Sequence, residues 1–229
     1  QLDEWAWAHD GTLVIVSAGD LGEEVHRGRA ASSASTLANH AAAKNALTVG
    51  SAIGDVRNEH VADPFDVPGM FRESPRNPVT LLPRLRGNPW EYASAYSSTG
   101  PAAGGRIKPD VLEVGQWVMT ARADEGCNLD DDARLECVLR AYPGSRTLPT
   151  ARAGCGQPSC DKRVSVGTNL AAARAAGAAA LVRDYFAQGS YPSGEPTAAD
   201  AFEPRAATVK AVLINAGEPL RGVGEVERL

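Results

Sequence analysis

Two residues, Asp20 and Asn169, and four thiols, Cys127, Cys137, Cys155 and Cys160, are the positions whose types and settings bear most directly on chemistry. The thiols are separated by 9, 17 and 4 residues. Zinc modules favour close Cys-x-x-Cys pairs, which are absent, and these spacings match no common module. Disulfides fit better. Four cysteines allow three connectivities, and the sequential one, Cys127 with Cys137 and Cys155 with Cys160, is expected. Two disulfides imply an oxidising compartment or an extracellular, secreted or lumenal setting. Between them lie Asp130, Asp131 and Asp132. A calcium loop needs alternating oxygen ligands around a Gly turn, so this run reads as a solvated acidic face. No metal and no cofactor is implied.

Asn169 opens a different kind of segment. From Leu170 to Val182 the chain is dominated by Ala, a strong helix former, and Gly167-Thr168-Asn169 makes a tight turn ahead of it. Thr168 or Asn169 is expected to accept hydrogen bonds from the first free amides. Small side chains around the whole circumference suit a helix buried in the middle of a domain. Asp20 follows the apolar run Leu13-Val14-Ile15-Val16, which is bounded by glycines and rich in β-branched residues. That pattern predicts a buried parallel strand. At its end, in Ser17-Ala18-Gly19-Asp20-Leu21-Gly22, an aspartate is at home as a turn or helix-cap residue.

These elements sit in an ordinary globular composition. The chain has 229 residues, 43% of them apolar and 22% charged, which favours one sizeable core. Its 23 basic and 28 acidic residues give a formal charge of −5, without the Lys/Arg clustering that phosphate neutralisation needs. No nucleic-acid partner is expected on that ground. Arg174 and Arg183 interrupt the most apolar stretch, so no membrane span is expected. Gln1 opens the sequence without a basic-then-apolar leader, as in a processed product or an excised piece. A short amphipathic helix is predicted over 2–9, a strand over 43–52 and a last helix over 206–215, the last opened by Pro204 and closed by Gly217. His40 takes an ordinary loop role. The long, proline-broken stretch from Gly54 to Glu91 exceeds a usual connection, and its apolar residues either meet a partner or pack back on the domain.

Several of these stretches resemble one family in order. Gly167 to Gly177 is similar to the nucleophile segment of subtilisin-like serine proteases, Gly-Thr-Ser-Met-Ala-Thr-Pro-x-x-Ala-Gly, with Asn169 in the place of the serine. Ala18-Gly19-Asp20-Leu21-Gly22 resembles the family's Ala-Gly-Asn-x-Gly, with Asp20 where the oxyanion-stabilising asparagine stands. Ala43 to Ala52 resembles Ala-Lys-Asn-x-x-x-Val-Gly-Ala. Tyr96-Ser97-Ser98-Thr99-Gly100-Pro101 and Gly105-Arg106-Ile107-Lys108-Pro109-Asp110-Val111 match Phe-Ser-Ser-x-Gly-Pro and Gly-Arg-x-Lys-Pro-Asp-Val. Val209 to Ile214 resembles the C-terminal Lys-Ala-x-Leu-Ile helix. Glu113 and Val114 replace the family's Ala-Pro ahead of Gly115.

The resemblance implies a partial, three-layer α/β fold with a parallel sheet and a central buried helix. Residues 1–229 would form the C-terminal half of a subtilisin-like domain, with long loop insertions at about 54–92 and 123–163. In the complete family fold the catalytic Asp and His arrive earlier in the chain. Neither motif is here, and none of His9, His26, His40 or His60 stands in a His-Gly-Thr-His context. A carboxamide has no hydroxyl to activate, and an ionised carboxylate repels an oxyanion, although some members of the family do carry Asp at that second position. The expectation is a catalytically inactive, pseudoprotease-like subunit with a structural or interaction role. A second protein chain would supply the N-terminal strands of the sheet, within a larger assembly. The alternative is a subunit of an active serine endopeptidase whose Asp and His come from a separate N-terminal chain.

Overall fold

The computed structural model describes residues 1–22, 35–54, 89–116, 118–121 and 162–223. All four cysteines, the acidic run at 130–132 and most of both expected insertions lie outside the described residues. Helix α1 spans Leu2–Ala8. After the turn at Asp10-Gly11 come β1 (Ile15–Ser17) and β2 (Leu47–Ala52). Short strand β3 (Tyr92–Ala93), β4 (Val111–Val114), β5 (Val118–Ala121) and β6 (Lys162–Ser165) precede helix α2 (Thr168–Ala187). Helix α3 (Ala206–Asn215) and β7 (Gly222–Val223) complete the order.

Strand β2 is the centre of the sheet. Every one of its six residues is buried, as a strand covered on both faces requires. It pairs in parallel with β1 on one side, Ile15 opposite Leu47, and with β4 on the other, Val49 opposite Val111. Beyond that parallel core the sheet is mixed, because β3 pairs antiparallel with the end of β2 and in parallel with β7. Strands β5 and β6 form a separate antiparallel pair. They bring the chain back from the end of β4 to the head of α2. Among the described residues β1 has β2 as its sole strand partner. Val14 and Ala18 direct backbone groups to β2, so by the alternation of a parallel ladder Ile15 and Ser17 turn theirs to the open edge.

Helix α2 packs across β1, β2 and β4, and α3 packs on α2. The core joins Leu47 and Val49 to Ala171 and Ala175, with Ile15, Val111 and Leu213 against them. Alanine is what permits this, since it lets the helix backbone come close to the sheet. The helix is not enclosed on all sides, however. Thr168, Ala171, Ala175, Ala179 and Phe186 make one buried face, whereas Leu181 is 72% exposed and Arg174 turns outward to pair with Glu113. Uniformly small residues give no amphipathic stripe, so the sequence leaves undetermined which face is covered. The strand expected over 13–16 starts at Ile15, where pairing with β2 begins, and the one expected over 43–52 starts at Leu47.

Two polar clusters fix the entrance to β2. The Asp3 carboxylate accepts from the amides of Asn45 (2.7 Å) and Lys44 (3.0 Å), tying α1 to the turn ahead of the strand. Burial pushes its pKa up, but those two amides together with the positive charges of Arg106 and Lys108 outweigh it, and the net shift is downward. That contribution is present above the unfolded carboxyl's range and is lost as pH falls through the lowered folded value. Lys108, 6% exposed, donates to Ala46 O (3.1 Å) and Thr48 Oγ1 (3.0 Å) and pairs with Asp110 at 2.6 Å. Lys210 of α3 reaches the same carbonyl of Ala46 at 2.8 Å and lies 3.6 Å from Asp110. Burial lowers the pKa of Lys210, partly offset by Asp110.

Candidate functional site

The end of β1 and the head of α2 meet because the chain turns sharply at both. Ala18 N still donates to Val49 O across the sheet (2.9 Å). Gly19 then takes φ +109°, a conformation that glycine adopts without strain. Its amide donates to Thr168 Oγ1 at 3.2 Å, and its carbonyl accepts from Ser98 N at 2.9 Å. The amide of Leu21 donates to Ser98 Oγ (3.0 Å). Thus the strand tip is held between the 97–98 segment and the helix.

Asp20 uses that position to cap the helix from outside. Its Oδ1 accepts from the Thr168 amide at 2.9 Å and from the Thr168 hydroxyl at 2.8 Å. No residue of the helix's own turn caps it: the N-cap is Gly167, and the expectation that Thr168 or Asn169 would do so is corrected. Thr168 is 1% exposed, with its hydroxyl fixed between the Gly19 amide and the Asp20 carboxylate. A helix N-terminus carries partial positive charge and free amides that favour an anion. Here that anion is the protein's own side chain, 148 residues away in the sequence.

Asn169 is the next residue and is exposed. Its carboxamide oxygen folds back over Gly167, so closely that a Cβ there would collide with it, and Gly167 itself has φ +146°. The structure therefore brings Asp20, Thr168 and Asn169 together, as the sequence reading required of its two site residues. The four cysteines lie outside the described residues.

Beneath the turn is a buried set of hydroxyls that sequence reading passed over. Tyr96 Oη donates to Gly115 O at 2.9 Å and lies 2.7 Å from Ser51 Oγ, which is 3.1 Å from Ser94 Oγ. Gly115 O also accepts from Gly167 N at 2.9 Å. One carbonyl at the end of β4 thus anchors both the tyrosine and the turn that opens α2. The available signal was a tyrosine where the family motif quoted above has phenylalanine. Burial pushes the Tyr96 phenol above its usual range; hydrogen bonds to Ser51 and Ser94 pull the other way, and the Asp20 charge adds to the rise.

A phenol whose folded pKa exceeds its unfolded one stabilises the fold below about pH 10, and that contribution disappears as pH rises through the folded value. Tyr96→Phe should therefore flatten the alkaline limb of the stability–pH curve between about pH 9 and 12. Urea unfolding of both proteins across that range is the measurement. Parallel curves would show that folding does not raise the Tyr96 phenol pKa.

The order of these parts, a glycine-closed strand tip against the N-terminus of an alanine-rich helix, agrees with the match of the subtilase family model to residues 2–228. The chain belongs to the subtilase family. This subtilase chain is 30% identical over 128 residues to "Serine protease/ABC transporter B family protein tagD" of Dictyostelium discoideum, covering 56% of the chain and 6% of that protein. It is 31% identical over 155 residues to tagB, named in the same way and from the same organism, covering 68% of the chain and 7% of tagB. A third such protein, tagA, is 30% identical over 122 residues, or 53% of the chain. The chain thus spans under a tenth of the length of tagD and tagB. No described helix is long and apolar enough to cross a membrane.

Proposed function

We propose that this chain is a catalytically inactive subtilase unit, a pseudoprotease with a structural or protein-interaction role, completed by another polypeptide. The observation that carries the reading is the Asp20 carboxylate seated on the first amide of α2, with Asn169 as the next side chain. Acyl transfer needs a hydroxyl or thiol nucleophile with a base beside it, and donors aimed at the developing oxyanion. At this helix head the side chain is a carboxamide, and the donors are turned to the protein's own Asp20 carboxylate, which would repel an oxyanion. Among the described residues, His9 Nδ1 donates to Trp5 O on α1 at 2.8 Å and His40 sits in the short helical turn at 39–42, and neither is hydrogen-bonded to Thr168 or Asn169.

A partner chain is supported by the outer side of β1 and the helix beside it. Among the described residues no strand pairs with the side of β1 to which Ile15 and Ser17 turn, and next to it lies a groove of about 460 Å³ lined by Gly11, Thr12, Leu13 and Ile15 and by the exposed Ala176 and Ala180. An added strand would satisfy the edge and cover the alanines together.

Fluorophosphonate treatment of the chain should leave it unlabelled. Stoichiometric labelling within residues 168–170 would overturn the inactive reading in favour of an active endopeptidase subunit. For the partner, the chain alone should self-associate in sedimentation at low micromolar concentration, covering the edge with a second copy, and the self-paired form should still unfold cooperatively in urea. A monomer that unfolds cooperatively by itself would remove the need for a second chain.

A further inference from the structure

At the far end of α2 from the candidate site, four aromatic rings form a continuous cluster. Phe186 is at its centre and is 8% exposed. Around it stand Tyr185 at 5.5 Å, Tyr191 at 5.9 Å and Phe202 at 5.1 Å between ring centroids. These three are 41%, 56% and 45% exposed. The excursion that carries two of them is pinned to the helix end. Ser190 N donates to Tyr185 O (3.0 Å), Phe202 N to Phe186 O (3.2 Å) and Thr197 N to Gly189 O (3.2 Å). The rings are therefore held in place before any ligand arrives, and binding would cost little ordering entropy.

Charge selects the ligand. Residues 184–203 include Asp184, Glu195, Asp200 and Glu203 and contain no lysine or arginine. Glu195, Asp200 and Glu203 are exposed. The cations at its two borders are already engaged: Arg183 lies 3.8 Å from Glu203 and donates to Gly11 O, and Arg205 lies 3.1 Å from Asp10. Ring faces attract cations, and carboxylates around them steer positive partners in and repel polyanions. We propose that this patch docks a basic segment of a partner protein, with arginine or lysine side chains lying over Tyr185, Tyr191 and Phe202 and pairing with the surrounding carboxylates. The surface is separate from the Asp20–Thr168 contact, so it stands whether or not the chain has peptidase activity.

The test is titration of the full chain with an octa-arginine peptide, followed by calorimetry and by NMR shifts of the tyrosine rings. Binding is expected, weakened roughly tenfold by Tyr191→Ser with Phe202→Ser, the size that two exposed cation–π contacts supply. Glu195→Gln, Asp200→Asn and Glu203→Gln together should weaken it several-fold and flatten its salt dependence. Neutralising the exposed Glu4 and Glu218, elsewhere in the chain, should leave it unchanged. The triple carboxylate variant alters only exposed groups and keeps the test decisive should loss of the rings loosen the helix end. Absence of binding overturns the proposal. So does equal binding by the ring variant, which would mean charge alone, or saturable binding of maltohexaose at the rings, which would make the patch a glycan site.

Discussion

Replacing Asp20 with alanine is expected to lower the free energy of unfolding by about 2–4 kcal/mol, since it removes an N-cap and two charge-assisted hydrogen bonds at once. The acceptor serves both the amide and the hydroxyl of Thr168, at 2.9 and 2.8 Å. With the carboxylate gone, a hydroxyl that is 1% exposed keeps only the Gly19 amide as a neighbour donating to it and has nowhere to send its own proton. Asp20→Asn separates charge from geometry. A carboxamide oxygen can still accept, so its cost should be about 1 kcal/mol, mainly the lost interaction with the helix dipole. Urea denaturation of the three proteins under identical conditions, with the m-value unchanged, reads both numbers. Equal stability of Asp20→Ala and the parent would show that the cap contributes nothing.

The same experiment on Asn169 should give a contrasting result. Asn169 is exposed, so Asn169→Ser is expected to change stability by no more than about 0.5 kcal/mol. Adjacent contacts of the site thus differ in kind. The aspartate is committed to holding strand tip and helix together, whereas the residue after Thr168 is free to be chosen by whatever this surface meets. Restoring a serine there would still leave the helix amides turned to Asp20, which is why the single substitution should not make the chain react with a fluorophosphonate.

How far the sequence could foresee this follows from how local each feature is. Helix α2 was legible because its alanines and its Gly-Thr-Asn start are contiguous, and α3 because Pro204 and Gly217 bracket it. The parallel pairing of β1 with β2 also agrees with the expected α/β fold. The cap was half legible: an aspartate after a strand suggests capping, but the helix it caps begins 148 residues later, and only the fold decides that. Burial of α2 was misjudged, since alanine is compatible with either a covered or an open face. The Tyr96–Ser51–Ser94 hydroxyls were invisible for the same reason, being brought together from β2 and a segment more than 40 residues away.

Gly115→Ala should be among the most damaging single changes near the site, costing about 3 kcal/mol or more, at the upper end of what overpacking does. A Cβ at this position would stand 2.6 Å from Ser51 Oγ, 2.7 Å from Gly167 O and 3.0 Å from Ala171 Cβ. None of the three can yield cheaply. Ser51 is buried within β2 and bonded to Tyr96; Gly167 O accepts the first amide bonds of α2; Ala171 is fully buried in the core. Relief would have to come from moving β4 away from α2, which would stretch the Gly167 N to Gly115 O bond and release Tyr96 together. The expected signature is therefore double: a lowered urea midpoint, and a Tyr96 phenol that titrates nearer its ordinary range, seen as an earlier rise of tyrosinate absorbance. Ala171→Gly in the Gly115→Ala background should recover part of the stability, because it removes the Cβ at 3.0 Å while leaving the two polar contacts strained. A Gly115→Ala protein as stable as the parent would mean that strand and helix can separate here at no cost, and that the closeness of β4 to the head of α2 is not what holds Asp20 over Thr168.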